Sequence, residues 1–254
     1  MSKINTSIWS GVYDFFNEVP LTDKVFDSDL WAKKQKNRIN ALLASFENFD
    51  TIPDSALSKD YPFATVVATL LLSKPSLRIV DYGGAMGQSY LDLLAKIPNS
   101  EARLDYTIVE TNAVIDNVPS KMKAFKQLAF VDDIKKIEGE IDIIHLGSTL
   151  QYVDDWKGFF VGLIEKFQSK LFVLSDLLVG DIPSFVTAQN YYGETIPVRF
   201  INIADFKNFW QGNGYKLAYQ SYFQPLDGGE YFPIHELPKT HRIKKASHLI
   251  FQLI

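Results

Sequence analysis

The chain has 254 residues, 46% of them hydrophobic and 22% charged, with no cysteine and a formal net charge of −4. Nineteen Phe, twelve Tyr and four Trp can build a sizeable core, which excludes intrinsic disorder, and the length suits one large domain or one domain with an elaboration. The missing cysteine excludes disulfide scaffolds, thiolate zinc sites, iron–sulfur clusters and thiol nucleophiles, and the mild acidity argues against a nucleic-acid binder that works by bulk charge.

The first residues, Met1 to Thr6, carry no apolar signal core. The longest apolar stretch, residues 62–72, is interrupted by Thr65 and Thr69 and falls short of the ~20 residues of a membrane span. A cytoplasmic protein without a membrane span is expected. Trp9, Tyr13, Phe15 and Phe16 lie close together, and Asp27, Ser28 and Asp29 are good N-cap types. They precede a helical pattern in which Ile39, Leu42, Leu43 and Phe46 fall at i, i+3, i+4 and i+7. A turn cluster at residues 50–55 ends this unit. Residues 1–60 are therefore expected to form an N-terminal helical cap, with the main domain at 61–254. The cap would be either a lid at a substrate mouth or a packing extension or dimer face.

A second helix is expected to start near Pro62. From Leu77 onward strands and helices alternate. Leu77-Arg78-Ile79-Val80, Tyr106-Thr107-Ile108-Val109, Leu128-Ala129-Phe130-Val131, Ile141-Asp142-Ile143-Ile144 and Leu171-Phe172-Val173-Leu174 read as strands. Trp156, Phe159, Phe160, Leu163, Ile164 and Phe167 keep the helical period behind Asp154-Asp155, and Ile203, Phe206, Phe209 and Trp210 suit one more helix. Such alternation implies βαβ units and a doubly wound, mostly parallel α/β sheet. The last two strands, near 215–222 and 248–254, have only the loop 223–245 between them and should pair antiparallel at one edge.

In such sheets ligands bind at the carboxyl ends of the strands. The first strand ends Val80-Asp81-Tyr82-Gly83-Gly84-Ala85-Met86-Gly87-Gln88. Glycines let the backbone reach φ > 0 and approach a ligand, and the next helix offers free N–H groups to an anion. The nicotinamide fingerprint G-x-G-x-x-G fails here: from Gly83 the third and sixth positions are Ala85 and Gln88, and from Gly84 they are Met86 and Ser89. The stretch approximates D-x-G-x-G-x-G, with Asp81, Gly83 and Gly87 in place and Ala85 at the middle glycine. An acid at the strand end suits a cationic ammonium and repels a pyrophosphate. The plain alternative is a tight turn that binds nothing.

On this motif the chain resembles class I S-adenosyl-L-methionine (SAM)-dependent methyltransferases over residues 60–254. The stretches Val80-Asp81-Tyr82-Gly83-Gly84-Ala85-Met86-Gly87, Ser148-Thr149-Leu150-Gln151-Tyr152-Val153 and Val186-Thr187-Ala188-Gln189-Asn190 look like a methyltransferase family met in bacterial surface-polysaccharide gene clusters, as does Trp9-Ser10-Gly11-Val12-Tyr13. The resemblance implies a seven-stranded sheet ordered 3-2-1-4-5-7-6 with strand 7 antiparallel, and SAM as cofactor. It places Asp81, Gly83, Gly84, Ala85 and Gly87 at the methionine moiety and Glu110 on the ribose hydroxyls. Asp132 or Asp133 would take the adenine amino group, and Gly147-Ser148 would run beside the cofactor.

Methyl transfer needs a base only for a weakly nucleophilic acceptor. His235, in the 223–245 loop, and Asp176, after the fifth strand, are the candidates; a loop histidine and an N-cap are the plainer readings. His145, flanked by Ile144 and Leu146, reads as a packed core histidine, and His241 and His248 as structural or solvated. Gln151, Tyr152, Gln189, Asn190 and Tyr192 suit a polar or saccharide acceptor. The histidines lack metal-ligand spacing, so no metal is expected. Lys239, His241, Arg242, Lys244 and Lys245 form one basic cluster, either for a phosphate-bearing acceptor or as a solvated edge; nucleic acid is disfavoured. The expected activity is methyl transfer to O or N of a small-molecule or saccharide-linked acceptor. Its rivals are a silent SAM or nucleotide binder and an NAD-linked oxidoreductase.

Overall fold

The computed structural model describes residues 8–20, 29–46, 61–191, 194–223 and 236–254. Its main body is a seven-stranded sheet built on β2 (Leu77–Tyr82), β3 (Leu104–Val109), β4 (Leu128–Val131), β5 (Ile143–Gly147), β6 (Leu171–Leu177), β10 (Tyr215–Tyr222) and β11 (Ser247–Leu253). The spatial order is β10-β11-β6-β5-β2-β3-β4. Strands β2 to β6 pair parallel, while β11 is antiparallel to both β6 and β10. The strand order reverses between β2 and β5, so the crevice of an open α/β sheet opens above their carboxyl ends.

Two apolar layers cover the sheet. On one face α1 (Asp29–Ser45), α2 (Phe63–Leu71) and α3 (Gln88–Lys96) bury Ile39, Val67, Tyr90 and Leu91 against Ile79, Tyr106 and Ile143. Two short helices complete that side, α4 (Asn112–Asp116) and α5 (Ser120–Lys123). On the other face α6 (Trp156–Phe167) and α7 (Ile203–Gly212) pack Phe160, Phe206 and Trp210 on Phe172 and Phe251. The Trp210 and Phe251 rings stack with centroids 4.6 Å apart. Asp155 caps α6 by accepting from the Gly158 N–H, and Asn202 caps α7 by accepting from the N–H groups of Ala204 and Asp205. Asp154, the residue before Asp155, instead accepts from Arg199 at 3.0 Å.

A second, four-stranded sheet lies outside this plan, in the order β1-β8-β9-β7. It consists of β1 (Trp9–Tyr13), β7 (Val179–Gly180), β8 (Phe185–Tyr191) and β9 (Glu194–Asn202). The aromatic N-terminal stretch, expected within a helical cap, is thus a strand over residues 9–13. Its Trp9 is buried against Phe200 while Ser10, Gly11 and Val12 stay exposed, and the Thr187 hydroxyl donates to the Gly11 carbonyl at 2.8 Å. Trp9 N–H donates to Glu236 at 2.9 Å, which ties this strand to the segment before β11. Among the described residues of the N-terminal unit, a 3-10 turn at Phe16–Glu18 and α1 are helical.

Candidate active site

A cavity of about 550 Å³ opens at the carboxyl ends of β2, β3, β5 and β6, within the range of ordinary small-molecule sites. Its floor is the turn at residues 81–87. The Gly83 N–H donates to the Val109 carbonyl at 2.9 Å, which carries the β2–β3 ladder one residue past the strand. Gly83 has φ +69, and a Cβ there would lie 2.5 Å from Thr149; a Cβ on Gly84 would lie 2.5 Å from the Asp81 carboxylate. Gly87, at φ +96, turns the chain into α3. Ala85 sits at φ +51, the left-handed region where a Cβ is strained. The need for glycine at the middle of this motif is therefore visible in the backbone of the alanine that replaces it.

Three carboxylates at successive strand ends meet this cavity. Asp81 is 1% exposed and accepts from the Tyr106 hydroxyl at 2.7 Å. His145 Nδ1 lies 2.8 Å from its other oxygen. A carboxylate only accepts, so Nδ1 carries a proton, and Nε2 lies 3.4 Å from Ser175 Oγ. Phe63 stacks flat on the imidazole at 3.9 Å, and His145 is the packed, hydrogen-bonded core histidine expected. Burial and the Asp81 charge push the Tyr106 phenol well above its ordinary pKa, so it remains a donor. Glu110 accepts from the Ala85 N–H at 3.2 Å and the Thr111 N–H at 2.8 Å, spanning the glycine turn and the end of its own strand.

The geometry separates the two aspartates after β4. Asp132 lines the cavity and is paired with Lys136, whose ammonium holds the carboxyl below the usual range. Asp133 does not line this cavity and caps the following 3-10 turn, accepting from the Lys135 N–H at 2.8 Å. Tyr82, also on the wall, has its phenol pushed up by burial and by Glu110 and Asp133.

The ends of β5 and β6 form the opposite wall, with Gly147, Ser148 and Asp176. Ser148 has φ +57 and Asp176 φ +58, so with Ala85 three non-glycine residues in the left-handed region line one cavity. Strain of this kind gathers where a site requires it. At Asp176 the cause is a β-bulge: Leu249 pairs with Leu174 and Ser247 with Leu177, so Ser175 and Asp176 stand opposite the single residue His248. The Asp176 N–H donates to His248 Nδ1 at 3.1 Å, and the Tyr61 hydroxyl donates to its carboxylate at 3.0 Å. Asp176 is 2% exposed yet reaches the cavity. It is not an N-cap.

The acceptor candidates divide. Tyr152 lines the cavity and its hydroxyl donates to Gln189 at 3.1 Å, which joins the small sheet to the site. Gln151 is buried behind the wall and donates to the Ser148 hydroxyl at 3.1 Å. Asn190 is exposed on β8, with its N–H donating to the Ile8 carbonyl. His235 and Tyr192 lie outside the described residues. The basic run 239–245 does not line the cavity; Arg242 donates to the Leu237 carbonyl and His241 packs edge-on against Phe185. No metal-binding cluster of three ligands occurs among the described residues, and none of their helices is long and apolar enough to cross a membrane.

Among the cavity residues that sequence reasoning missed are three on α1, Trp31, Gln35 and Arg38. Spaced i, i+4 and i+7, they form a stripe beside the apolar face used to find the helix. Gln35 is buried and accepts from Gln88, the first residue of α3, at 3.1 Å.

No family model matches the chain, and no curated protein matches it in sequence. Solved structures match it in fold. A Burkholderia thailandensis 1,6-didemethyltoxoflavin-N1-methyltransferase, with 1,6-didemethyltoxoflavin and S-adenosylhomocysteine (SAH) bound, aligns at TM-score 0.56 and 12% identity over 92% of both chains. A chain of the Haloferax volcanii complex of the Trm112 methyltransferase activator with a methyltransferase aligns at TM-score 0.56 and 12% identity, over 91% of this chain and 97% of that one. The Synechocystis PCC 6803 magnesium protoporphyrin IX methyltransferase with SAH reaches TM-score 0.50 at 11% identity, over 90% and 100%. The chain has the fold of SAM-dependent methyltransferases.

Proposed function

We propose that this chain is a SAM-dependent methyltransferase acting on O or N of a small-molecule or saccharide-linked acceptor. The observation that carries the reading is the row Asp81, Glu110 and Asp132 at the ends of three neighbouring strands, on one cavity above a glycine turn. The fold shared with the toxoflavin-precursor and magnesium protoporphyrin methyltransferases supports a small-molecule acceptor. The sequence stretches that resemble the polysaccharide-cluster family support a saccharide one in the cytoplasm. Residues 61–254 would be the methyltransferase domain and residues 1–60 its cap, with α1 reaching the cavity.

The residues fit the cofactor by the chemistry of their donors and acceptors. Glu110 would accept the two ribose hydroxyls, a charge-assisted arrangement. Asp132 would accept from the adenine amino group, and Asp81, held in place by Tyr106 and His145, would set the negative charge for the ammonium from beneath Gly84. The backbone at Gly147 and Ser148 would run beside the sulfonium. SAM supplies a methyl group already activated on sulfur, so the chain's own task is to hold the acceptor in line and remove its proton. Asp176, aimed by its bulge and by Tyr61, is the group we assign to orient the acceptor and take that proton. Tyr152 with Gln189 would bind a polar acceptor at the mouth. His235 stays as the second candidate base.

Thermal denaturation with SAM, SAH and NAD tests the cofactor. Ligand at about 100 times its Kd adds about 2.7 kcal/mol of stability. We expect upward shifts with SAM and SAH and none with NAD; no shift with either SAM species, or a shift with NAD alone, would contradict the reading. Tritium transfer from methyl-labelled SAM then separates an enzyme from a silent binder.

A further inference from the structure

The site above leaves the basic run Lys239, His241, Arg242, Lys244 and Lys245 unused. Four of the seven residues 239–245 are Lys or Arg in a chain of net charge −4, and no acid occurs from residue 237 to residue 254. Protection of a sheet edge does not explain the run, because it precedes β11, which lies between β6 and β10. Nor is the segment a loose tail. Leu237, Ile243 and Ala246 are buried, Arg242 Nε donates to the Leu237 carbonyl at 2.6 Å, and the Phe223 N–H donates to the Ala246 carbonyl at 2.9 Å. Lys239, Lys244 and Lys245 stay exposed on this fixed backbone, and none of the three forms an ion pair among the described residues.

Strand β11 runs antiparallel to β6, so it begins at the carboxyl ends of the parallel strands, on the side of the sheet where the cavity opens. Lys245 comes three residues before His248, whose imidazole accepts from the Asp176 N–H. Three residues of chain span at most about 11 Å, so Lys245 starts close to the wall assigned to the acceptor. The cavity itself is lined by Asp81, Glu110, Asp132 and Asp176, and four carboxylates repel a multiply charged anion where water is partly excluded. An acceptor that carries such a group would keep it outside while its nucleophile reaches Asp176. Lysine ammonium groups on flexible stems are point charges suited to phosphate oxygens. We infer that the 239–245 run binds a phosphate or diphosphate group of the methyl acceptor, which makes the acceptor a phosphorylated small molecule. The inference rests on the methyltransferase reading of the cavity and narrows its substrate.

Calorimetric titration of the whole chain tests it with inorganic pyrophosphate and uridine diphosphate as probes, sulfate at matched ionic strength as the control, and SAH as the probe of the cofactor site. Wild type is set against a variant carrying Lys239→Gln, Lys244→Gln and Lys245→Gln, all at exposed positions, and against one carrying Lys244→Arg and Lys245→Arg, which keeps the charge. Wild type is expected to bind both phosphates more tightly than sulfate, and equally well with saturating SAH present. The triple Gln variant should lose about 10- to 100-fold in phosphate affinity, while the Arg variant keeps it and SAH stays within about twofold throughout. Wild-type phosphate affinity in the Gln variant would overturn the inference. So would sulfate binding as tightly as pyrophosphate, or pyrophosphate competing with SAH, which would put the anion in the cofactor cavity. Binding only to phosphatidylcholine vesicles that contain phosphatidic acid would overturn it too, since the run would then face a membrane. A crystal of the complex with SAH and uridine diphosphate should show the diphosphate on Lys244 and Lys245 at the cavity mouth; a diphosphate seated away from the mouth would separate the run from the acceptor and contradict the inference. If SAH fails to bind while the phosphates bind as expected, it is the SAM reading that fails.

Discussion

The backbone N–H of Asp176 donates to Nδ1 of His248 across 3.1 Å, from a bulge in one strand to the second residue of its antiparallel neighbour. The extra residue in β6 frees that N–H from the ladder, and an unpaired buried N–H is costly. The imidazole restores the bond and fixes the residue whose carboxylate turns into the cavity. Replacing His248 by Phe should cost about 1–3 kcal/mol in urea denaturation. It should leave SAH binding near wild type, because the role proposed for Asp176 is toward the acceptor and not the cofactor. Loss of SAH binding in a folded His248→Phe protein would place Asp176 on the cofactor side.

Ala85 offers the opposite experiment. Its φ of +51 costs an L-residue about 1–2 kcal/mol, which glycine recovers at the expense of a freer unfolded chain. Ala85→Gly should therefore raise stability by up to about 1 kcal/mol and bind SAH at least as tightly. Ala85→Val, with a branched Cβ in the same left-handed turn, should lose more than about 1 kcal/mol and weaken SAH. Both follow from melting curves with and without ligand.

Asp132 lines the cavity and Asp133 does not, so conservative changes should behave differently. Asp132→Asn should weaken SAH several-fold. Asp133→Asn should leave SAH affinity unchanged and cost stability through the Lys135 cap. Because the Asp132 carboxyl is held below its ordinary pKa by Lys136, its stabilising charge is present above the unfolded value of ~3.9 and is lost as pH falls through the lower folded value. Adenosine-moiety binding should accordingly be flat between pH 5 and 8; a loss of affinity on going from pH 8 to 5 would exclude Asp132 as the group responsible.

At high pH the tyrosines dominate. Burial raises the phenols of Tyr106, Tyr90 and Tyr82, and that of Tyr215 is pushed up to about 12. The unfolded chain loses these protons near pH 10 while the folded chain keeps them. Stability is thus fully present below pH ~10 and falls as pH rises toward the folded values. Tyr106→Phe should reduce the slope of that alkaline loss, read by denaturant titration at several pH values. An unchanged slope would mean that Tyr106 ionises normally in the folded state.

The main sheet was legible because its strands are continuous apolar runs and its helices carry a 3.6-residue stripe. Leu128–Val131 and Tyr215–Tyr222 were read at the bounds observed. The ribbon of β8 and β9 was not. Pro197 interrupts the second run, a residue that argues against a strand unless it sits where no ladder bond is needed, and it pairs opposite Ala188. The N-terminal strand was hidden for a related reason: Trp9 finds its partner about 180 residues away, at Gln189. The row Asp81, Glu110 and Asp132 was visible as acids following strands, but that Asp132 and not Asp133 lines the cavity needed side-chain direction. The bulge at Asp176 depends on the register of β11 against β6, which one strand's sequence does not contain. Arg38 and Gln35 went unseen because a search for apolar periodicity passes over the polar stripe beside it.

A crystal structure with SAH bound is the most direct test of the cofactor site. The account predicts SAH in the 550 Å³ cavity, with its ribose hydroxyls on Glu110 and its adenine amino group on Asp132. SAH seated elsewhere, or an empty cavity at saturating SAH, would contradict it.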